Sequence, residues 1–246
     1  MVRSRLDRVL VERGLVSTRS RARDLILRGQ VLVDGVPVAK PGVIIPEGAS
    51  ICLADGANAF VSRGALKLAA ALEHFGYQAG GVTALDIGAS TGGFTQVLLG
   101  RGARRVYAVD VGRDQLDPTL RDDARVVVYE GKDGRSLTAV DLPDPIGAIV
   151  ADVSFISLTK ALPVPLSFAT PGGWLVALIK PQFEAGREAV GKGGIVRDPA
   201  DRQRAIDHVR DWLAHQPGWV VDGVIESPVP GGSGNQEFLI GARKND

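Results

Sequence analysis

One segment limits the possible fold more than any other: Leu85-Asp86-Ile87-Gly88-Ala89-Ser90-Thr91-Gly92-Gly93-Phe94-Thr95. An apolar run of strand length ends in a carboxylate, passes through a glycine-rich turn and opens into a helical pattern near Gly93. Glycines at such a junction let backbone N–H groups approach a ligand closely. From Gly80-Gly81 onward, strand-length apolar runs at 82–87, 105–110, 125–129, 147–152 and 174–179 alternate with helical segments. That alternation demands a parallel sheet with helices on both faces, so the expected fold class is α/β and Rossmann-like. Asp198-Pro199 opens an amphipathic helix running to about His215, with Asp as cap and Pro in the first turn. Segments 219–225 and 236–241 read as two final strands joined by the Pro/Gly-rich stretch 227–234.

The N-terminal part has a different pattern. Leu6, Val9 and Leu10 share one face of a helix over 5–13, closed by Gly14. Ser17 or Thr18 can cap a second helix through Leu27, closed by Gly29. Val31–Val38 reads as a hairpin about Asp34-Gly35, and 50–53 as another strand. These elements predict a small α+β domain over 1–56, a linker over 57–63 and the larger domain over 64–246, which opens with a helix from Gly64 to Phe75.

Charge separates the same two regions. Residues 1–40 carry nine Arg/Lys against four Asp/Glu, and the remaining residues 20 against 24, which hides behind a net charge of +1. A basic end on a near-neutral chain points to an anionic partner, nucleic acid first among them; the plainer alternative is a solvated helix face. Arg3, Arg5, Arg19, Arg21, Arg23 and Arg28, together with Arg63, are the candidate nucleic-acid-binding residues. Cys52 is the single cysteine, which excludes an intrachain disulfide and a cysteine-rich zinc site. His208 and His215 lie seven apart on one helix, and no metal is expected. No stretch approaches the roughly 20 apolar residues of a membrane span, and no apolar signal core follows the N-terminal arginines. A cytoplasmic protein without a membrane partner is the expectation.

The glycine loop departs from a dinucleotide fingerprint, because Ser90 stands where the second glycine belongs. A nicotinamide dehydrogenase is excluded on that spacing. Asp86 instead suits a cationic or hydroxyl-bearing ligand, and S-adenosylmethionine offers an amino group and a sulfonium together. Asp110, 24 residues on, closes the second strand, where a carboxylate can accept both hydroxyls of an adenosine ribose. Asp133 follows the third strand and could meet the adenine edge. The fourth and fifth strands end in Asp152 and Lys180, so both should point at the reactive end of the bound ligand. A structural Asp152–Lys180 ion pair is the alternative.

At these residues the sequence resembles the TlyA (hemolysin A-like) family of rRNA 2′-O-ribose methyltransferases, with an FtsJ-like catalytic domain and an S4-like RNA-binding domain in its first sixty residues. The resemblance runs from about Arg5 to Arg243 and rests on VSRGALKL, LDIGASTGGFT, VDVG, ADVSFISL, LIKPQFE and PGGSGNQEF. It implies S-adenosyl-L-methionine as cofactor and ribosomal RNA or ribosomal subunits as partner. It implies a catalytic tetrad on Lys67, Asp152, Lys180 and Glu237, with Lys180 as the central base-like lysine and Glu237 as organiser. It implies cofactor contacts at Asp86, Gly88, Ser90, Thr91, Gly92, Gly93, Phe94, Asp110, Val111, Asp133 and Asp152. Asp133 departs from the family, where Asn is usual. The short stretch after the last strand resembles family members that modify the large-subunit cytidine, so 23S rRNA is expected before 16S. The glycine-rich loop 184–197 is expected to close over RNA. The rival readings are a membrane-active, hemolysin-like protein and a protein that binds RNA and S-adenosylmethionine without turnover.

Overall fold

A computed structural model describes residues 3–16, 18–27, 29–54, 60–231 and 234–245. They fall into two compact units, residues 1–63 and 64–246. Of the expected linker, residues 57–59 lie outside the described residues, as does Arg28.

The first unit runs β1 (Arg3–Arg5), α1 (Leu6–Glu12), α2 (Arg19–Leu27), β2 (Val31–Val33), β3 (Val36–Pro37), β4 (Ile44–Pro46) and β5 (Ile51–Leu53). The expected helical face is its core: Leu6, Val9 and Leu10 pack with Leu25, Ile26, Val31 and Ile45. Thr18 caps α2, its hydroxyl accepting from the Arg21 N–H at 3.2 Å; Ser17, the other candidate cap, lies outside the described residues. Asp34 and Gly35 have φ of 50° and 80°. Two left-handed residues in a row make the primed turn whose twist suits a tight hairpin, and β2 and β3 pair there. β5 joins them on the other side of β2. The antiparallel β1–β4 pair was not anticipated from the sequence. Each strand has only three residues, too few for periodicity to register.

The second unit begins with α3 (Gly64–Phe75) and then alternates: β6 (Thr83–Ile87), α4 (Gly93–Gly100), β7 (Arg105–Asp110), α5 (Pro118–Arg121), β8 (Val126–Glu130), β9 (Ile146–Ala151), α6 (Leu158–Ala161), α7 (Pro163–Ser167), β10 (Ala169–Ile179), α8 (Pro181–Glu184), α9 (Pro199–Ala214), β11 (Trp219–Glu226) and β12 (Phe238–Lys244). One seven-stranded sheet results, in the order β11-β12-β10-β9-β6-β7-β8. The five strands from β10 to β8 are parallel, as the alternation requires. The last pair departs from that rule. β12 inserts between β10 and β11 and runs antiparallel to both. The reason is the connection: α9 is a crossover that returns β11 in the direction of β10, whereas the stretch from β11 to β12 forms no helix, so the chain turns back beside its neighbours.

Helix α9 starts as expected, with the Asp198 carboxylate accepting from the Ala200 N–H at 2.8 Å and Pro199 in its first turn. β10 starts five residues earlier than Trp174, with a register break before Trp174. The short helices α5 to α8 fall between the sequence runs, too brief to carry a 3.6-residue period. Helix α3 lies against β12 because position 241 is glycine: a Cβ there would come within 2.7 Å of the Phe75 ring. The core is built from the apolar faces of β6, β7, β9 and β10, among them Leu85, Val109, Ile149, Leu175 and Ile179, under α6, α7 and α9. The carboxyl ends of these strands carry most of the residues singled out in the sequence. Among the described residues, no helix is long and apolar enough to cross a membrane.

Candidate active site

The glycine loop builds the first half of the site. Asp86, on β6, is fully buried, and its Oδ2 accepts from the Thr95 hydroxyl at 2.7 Å. Its Oδ1 is buried with no hydrogen-bond partner. Burial pushes its pKa up to about 7; Thr95 opposes the shift, and the nearby charges of Asp152 and Asp110 add to it. The chain then turns at Gly88, φ +81°, where a Cβ would sit 2.6 Å from the carbonyl oxygen of Asp152. Only glycine lets the two strand ends come this close. Ser90 takes the left-handed conformation, φ 48°, unusual for a residue with a Cβ. The turn aims its N–H at Asp110 Oδ2, 2.8 Å away, and the Gly112 N–H reaches Asp110 Oδ1 at 2.7 Å. Each Asp110 oxygen keeps a second lone pair for a hydroxyl donor. Val111, beside it, is 72% exposed.

Gly92 precedes α4 at φ +93°, and a Cβ there would lie 2.3 Å from a methyl of Leu120. Gly93 and Phe94 are buried, so any contact they offer a ligand at this helix start is with backbone rather than the ring. The backbone oxygen of Thr91 is taken by the Asp117 N–H at 3.3 Å. Asp133 is committed to its own turn. It accepts from the Arg135 N–H at 2.9 Å and pairs with the Arg135 guanidinium at 2.6 Å, which together lower its pKa.

Strand register builds the second half. Ile87 pairs with Ala151, Ala177 with Ala151, and Ile179 with Phe238. Asp152, Lys180 and Glu237 each sit one residue beyond these partners, at the same edge of the sheet. Lys180 Nζ lies 2.7 Å from Asp152 Oδ1 and donates to Ser154 Oγ at 2.8 Å. Lys67, on α3, donates to Glu237 Oε2 at 2.5 Å, with both residues buried. Glu237 is roofed by the preceding loop, since a Cβ at Gly231 would strike its carboxylate at 2.2 Å. The four residues therefore form two ion pairs, Asp152–Lys180 and Lys67–Glu237. The Asp152–Lys180 ion pair, named above as the alternative to a ligand-facing role, is present at the strand ends.

The loop 184–197 is anchored at its far end. Buried Asn235 donates from Nδ2 to the Gly194 carbonyl at 2.7 Å and accepts from the Val196 N–H at 3.0 Å. Several residues of the site were not singled out in the sequence. Thr95 holds Asp86, and Ser154 receives Lys180. Phe155 is 90% exposed at φ 66° and tilts against Phe183, ring centroids 5.2 Å apart. A cavity of about 550 Å³ opens there, lined also by Lys160, Gln182 and Arg187. Ser154 and Phe155 had a signal, since they follow Asp152 directly at a strand end. Thr95 had none beyond its place in the loop.

In the first unit the candidate RNA-binding arginines prove to be organised by two acids. Asp7 is fully buried and pairs with Arg5 at 3.0 Å and Arg19 at 3.1 Å. Asp24 pairs with Arg63 at 2.7 Å and with Arg21 at 3.9 Å. Arg23 is exposed. The side chain of Arg3 lies outside the described residues.

The family model for FtsJ-like methyltransferases matches residues 60–244, and the S4 domain model matches residues 4–51. The chain is 46% identical to the 16S/23S rRNA (cytidine-2′-O)-methyltransferase TlyA of Mycobacterium tuberculosis, over 98% of this chain and 90% of that protein. It is 41% identical to Hemolysin A of Brachyspira hyodysenteriae, over 96% of this chain and 98% of that one. A solved structure bearing a hemolysin label, from Streptococcus thermophilus, superposes with a TM-score of 0.77 at 41% identity, covering 100% of this chain and 90% of that one. The glycine cradle and the paired strand-end charges thus sit within a sequence match that spans most of the chain, and the chain belongs to the FtsJ-like methyltransferase family, with an S4 domain preceding the catalytic one.

Proposed function

We propose that the chain transfers a methyl group from S-adenosylmethionine to the ribose 2′-hydroxyl of a cytidine in ribosomal RNA. The observation that carries this reading is the Lys180–Asp152 pair at the strand ends, next to the Gly88 cradle. The TlyA relative is named for this activity on 16S and 23S rRNA.

The residues fit the cofactor. Asp86 Oδ1 is a buried carboxylate oxygen without a donor, which a cationic amino group would satisfy directly or through water. Asp110 has lone pairs free for ribose hydroxyls and Val111 offers exposed apolar surface beside it; Asp133, the candidate at the base edge, would reach a base only by giving up part of its pairing with Arg135. When bound, S-adenosylmethionine supplies a methyl group on a positively charged sulfur. The chain's own residues do the rest. Lys180 Nζ is placed to take the proton of the 2′-hydroxyl once its own ammonium proton has left to solvent, and Asp152 and Ser154 hold the nitrogen in place and stabilise the ammonium that forms again. Lys67, fixed by Glu237, adds positive charge to this edge of the sheet as the oxygen becomes nucleophilic. Positioning and preorganised charge supply most of the acceleration. Exposed Phe155, with partly buried Phe183 beside it, gives a splayed base an aromatic face to stack on. The arginines of the S4 domain dock the RNA through its phosphates, with affinity falling as salt rises. An rRNA substrate places the work in the cytoplasm.

Methyl transfer from radiolabelled S-adenosylmethionine to 16S and 23S rRNA, or to subunits lacking the modification, tests this. Label in a nuclease-resistant 2′-O-methylated dinucleotide is expected, and the labelled subunit names the target. Measurable cofactor binding with no label on either RNA would replace this reading with a binding protein.

A further inference from the structure

Two segments meet at the mouth of the site, one following β9 and one following β10. They touch at successive rungs. Asp152 and Ser154 both meet Lys180, at 2.7 and 2.8 Å. Phe155 meets Phe183. Last, Glu184 takes two hydrogen bonds from the opposite segment: Oε2 accepts from the Ser157 hydroxyl at 2.6 Å and Oε1 from the Leu158 N–H at 2.8 Å. Helix α8 is a single turn between the first rung and the last, with Lys180 as its N-cap and Glu184 as its final residue. One backbone bond closes the turn, the Phe183 N–H donating to the Lys180 carbonyl at 2.9 Å.

The last rung is asymmetric. Burial of Glu184 raises its pKa, while Ser157, Leu158 and the charge of His208 on α9 favour its ionised form. Ser157 also caps α6. Removing Glu184 would leave the Leu158 N–H without its acceptor and free the segment that carries Asp152, Ser154 and the left-handed Phe155. A left-handed Phe persists only where its surroundings hold it.

We propose that Glu184 is a positioning residue: its clasp on Ser157 and Leu158 fixes the two segments in register and so sets the direction of the Lys180 amine. This rests on the reading of Lys180 given above. It assigns Glu184 no contact with RNA or cofactor. Glutamine keeps a carbonyl oxygen for Leu158 and an amide that Ser157 can accept from, so it should preserve the clasp, whereas alanine abolishes it.

The test compares wild type, Glu184→Ala, Glu184→Gln, Ser157→Ala and the double variant Glu184→Ala with Ser157→Ala, all in the whole chain. The first readout is methyl transfer, with kcat separated from KM. The second is the rate at which an amine-acylating reagent modifies Lys180, followed by mass spectrometry, which needs no RNA. Glu184→Ala should lower kcat about tenfold or more, leave the S-adenosylmethionine Kd within threefold and speed Lys180 acylation severalfold. Glu184→Gln should restore both to within about threefold of wild type. Ser157→Ala should share the Glu184→Ala loss, so that the double variant is little worse than either single one. Equal kcat and equal Lys180 acylation in wild type and Glu184→Ala would overturn the proposal, as would failure of glutamine to restore either. Absence of methyl transfer by wild type itself would count against the proposed function, and Lys180 acylation would still decide the role of Glu184.

Discussion

Asp7 in the N-terminal unit and Asp86 in the C-terminal unit are equally hidden from water, both at 0% exposure. They differ in company. Asp7 receives two guanidiniums, Arg5 first and Arg19 second, and its pKa falls to about 2. Asp86 receives a threonine hydroxyl and no cation, and burial raises its pKa to about 7. Burial alone therefore does not fix what a carboxylate does. A buried acid with its cations in place belongs to the scaffold. A buried acid with an empty oxygen, at the carboxyl end of a parallel strand, is prepared for a ligand. The lysine–carboxylate pairs at the sheet edge have their cations in place too, and differ from the arginine–aspartate pairs of the first unit in position: Asp152 and Lys180 close parallel strands beside the Gly88 turn.

The largest expected effect tests the functional side of this contrast. Lys180→Ala should lower the rate of methyl transfer about 10³-fold, near 4 kcal/mol of barrier, because the proton acceptor and its charge leave together. Cofactor affinity should change by only a fewfold. Wild-type turnover by this variant would reduce Asp152–Lys180 to another scaffold pair and erase the distinction between the two units.

Asp86 gives the next effect, and its direction is set by its raised pKa. Between about pH 4 and pH 7 the folded protein holds a proton on Asp86 that the unfolded chain has released. Folding is therefore opposed increasingly as pH rises through that window, and the penalty levels off above about pH 7. Asp86→Asn should unfold at a higher temperature than wild type at pH 8, with the gap closing toward pH 4. Ligand binding should run the other way. A cationic amino group favours the ionised acid, so the S-adenosylmethionine affinity of wild type should rise roughly tenfold from pH 5.5 to 7.5. Asp86→Asn should bind more weakly and lack this dependence. Calorimetric titrations across that range decide it: a flat wild-type profile would mean that Asp86 does not meet the amino group.

How much of this contrast was legible in the sequence follows from how far apart the partners lie. The Asp86 turn could be read because strand, glycines and helix are contiguous, and Asp110 lies one strand–helix–strand unit on. Asp152 and Lys180 could be read as strand ends. The parallel sheet followed from the alternation of patterns, but the antiparallel place of β12 did not, because insertion between two existing strands leaves no periodic mark. The Lys67–Glu237 pair joins residues 170 apart. Only the family resemblance put those two residues in one site. Glu184 ended a quoted motif, LIKPQFE, yet its partners lie in another, ADVSFISL, and nothing in either string says that they meet. Asp7 was read as one of four acids diluting a basic end, although it arranges two of the arginines there. Charge counts treat each residue as solvated, and the folded unit does not.

The smallest expected effect probes the scaffold side. Asp7→Asn removes the charge that holds Arg5 and Arg19. Both guanidiniums are about half exposed, at 48% and 58%, so solvent screens much of the loss. A cost of about 1–2 kcal/mol is expected, carried by the first unit alone. All three tryptophans, Trp174, Trp212 and Trp219, lie in the second unit, so their fluorescence should report an unchanged unfolding midpoint. Amide exchange in peptides spanning α1 should instead accelerate roughly tenfold. Acid supplies the control. The lowered pKa of Asp7 means that its contribution is complete above about pH 4 and disappears as pH falls through about 2. Wild-type α1 should lose protection, relative to intrinsic exchange rates, over that interval, and Asp7→Asn should lose less. Equal acid sensitivity of the two proteins would mean that the arginine pairs follow the fold of the first unit without stabilising it. Asp7 would then differ from Asp86 in surroundings but not in energetic role.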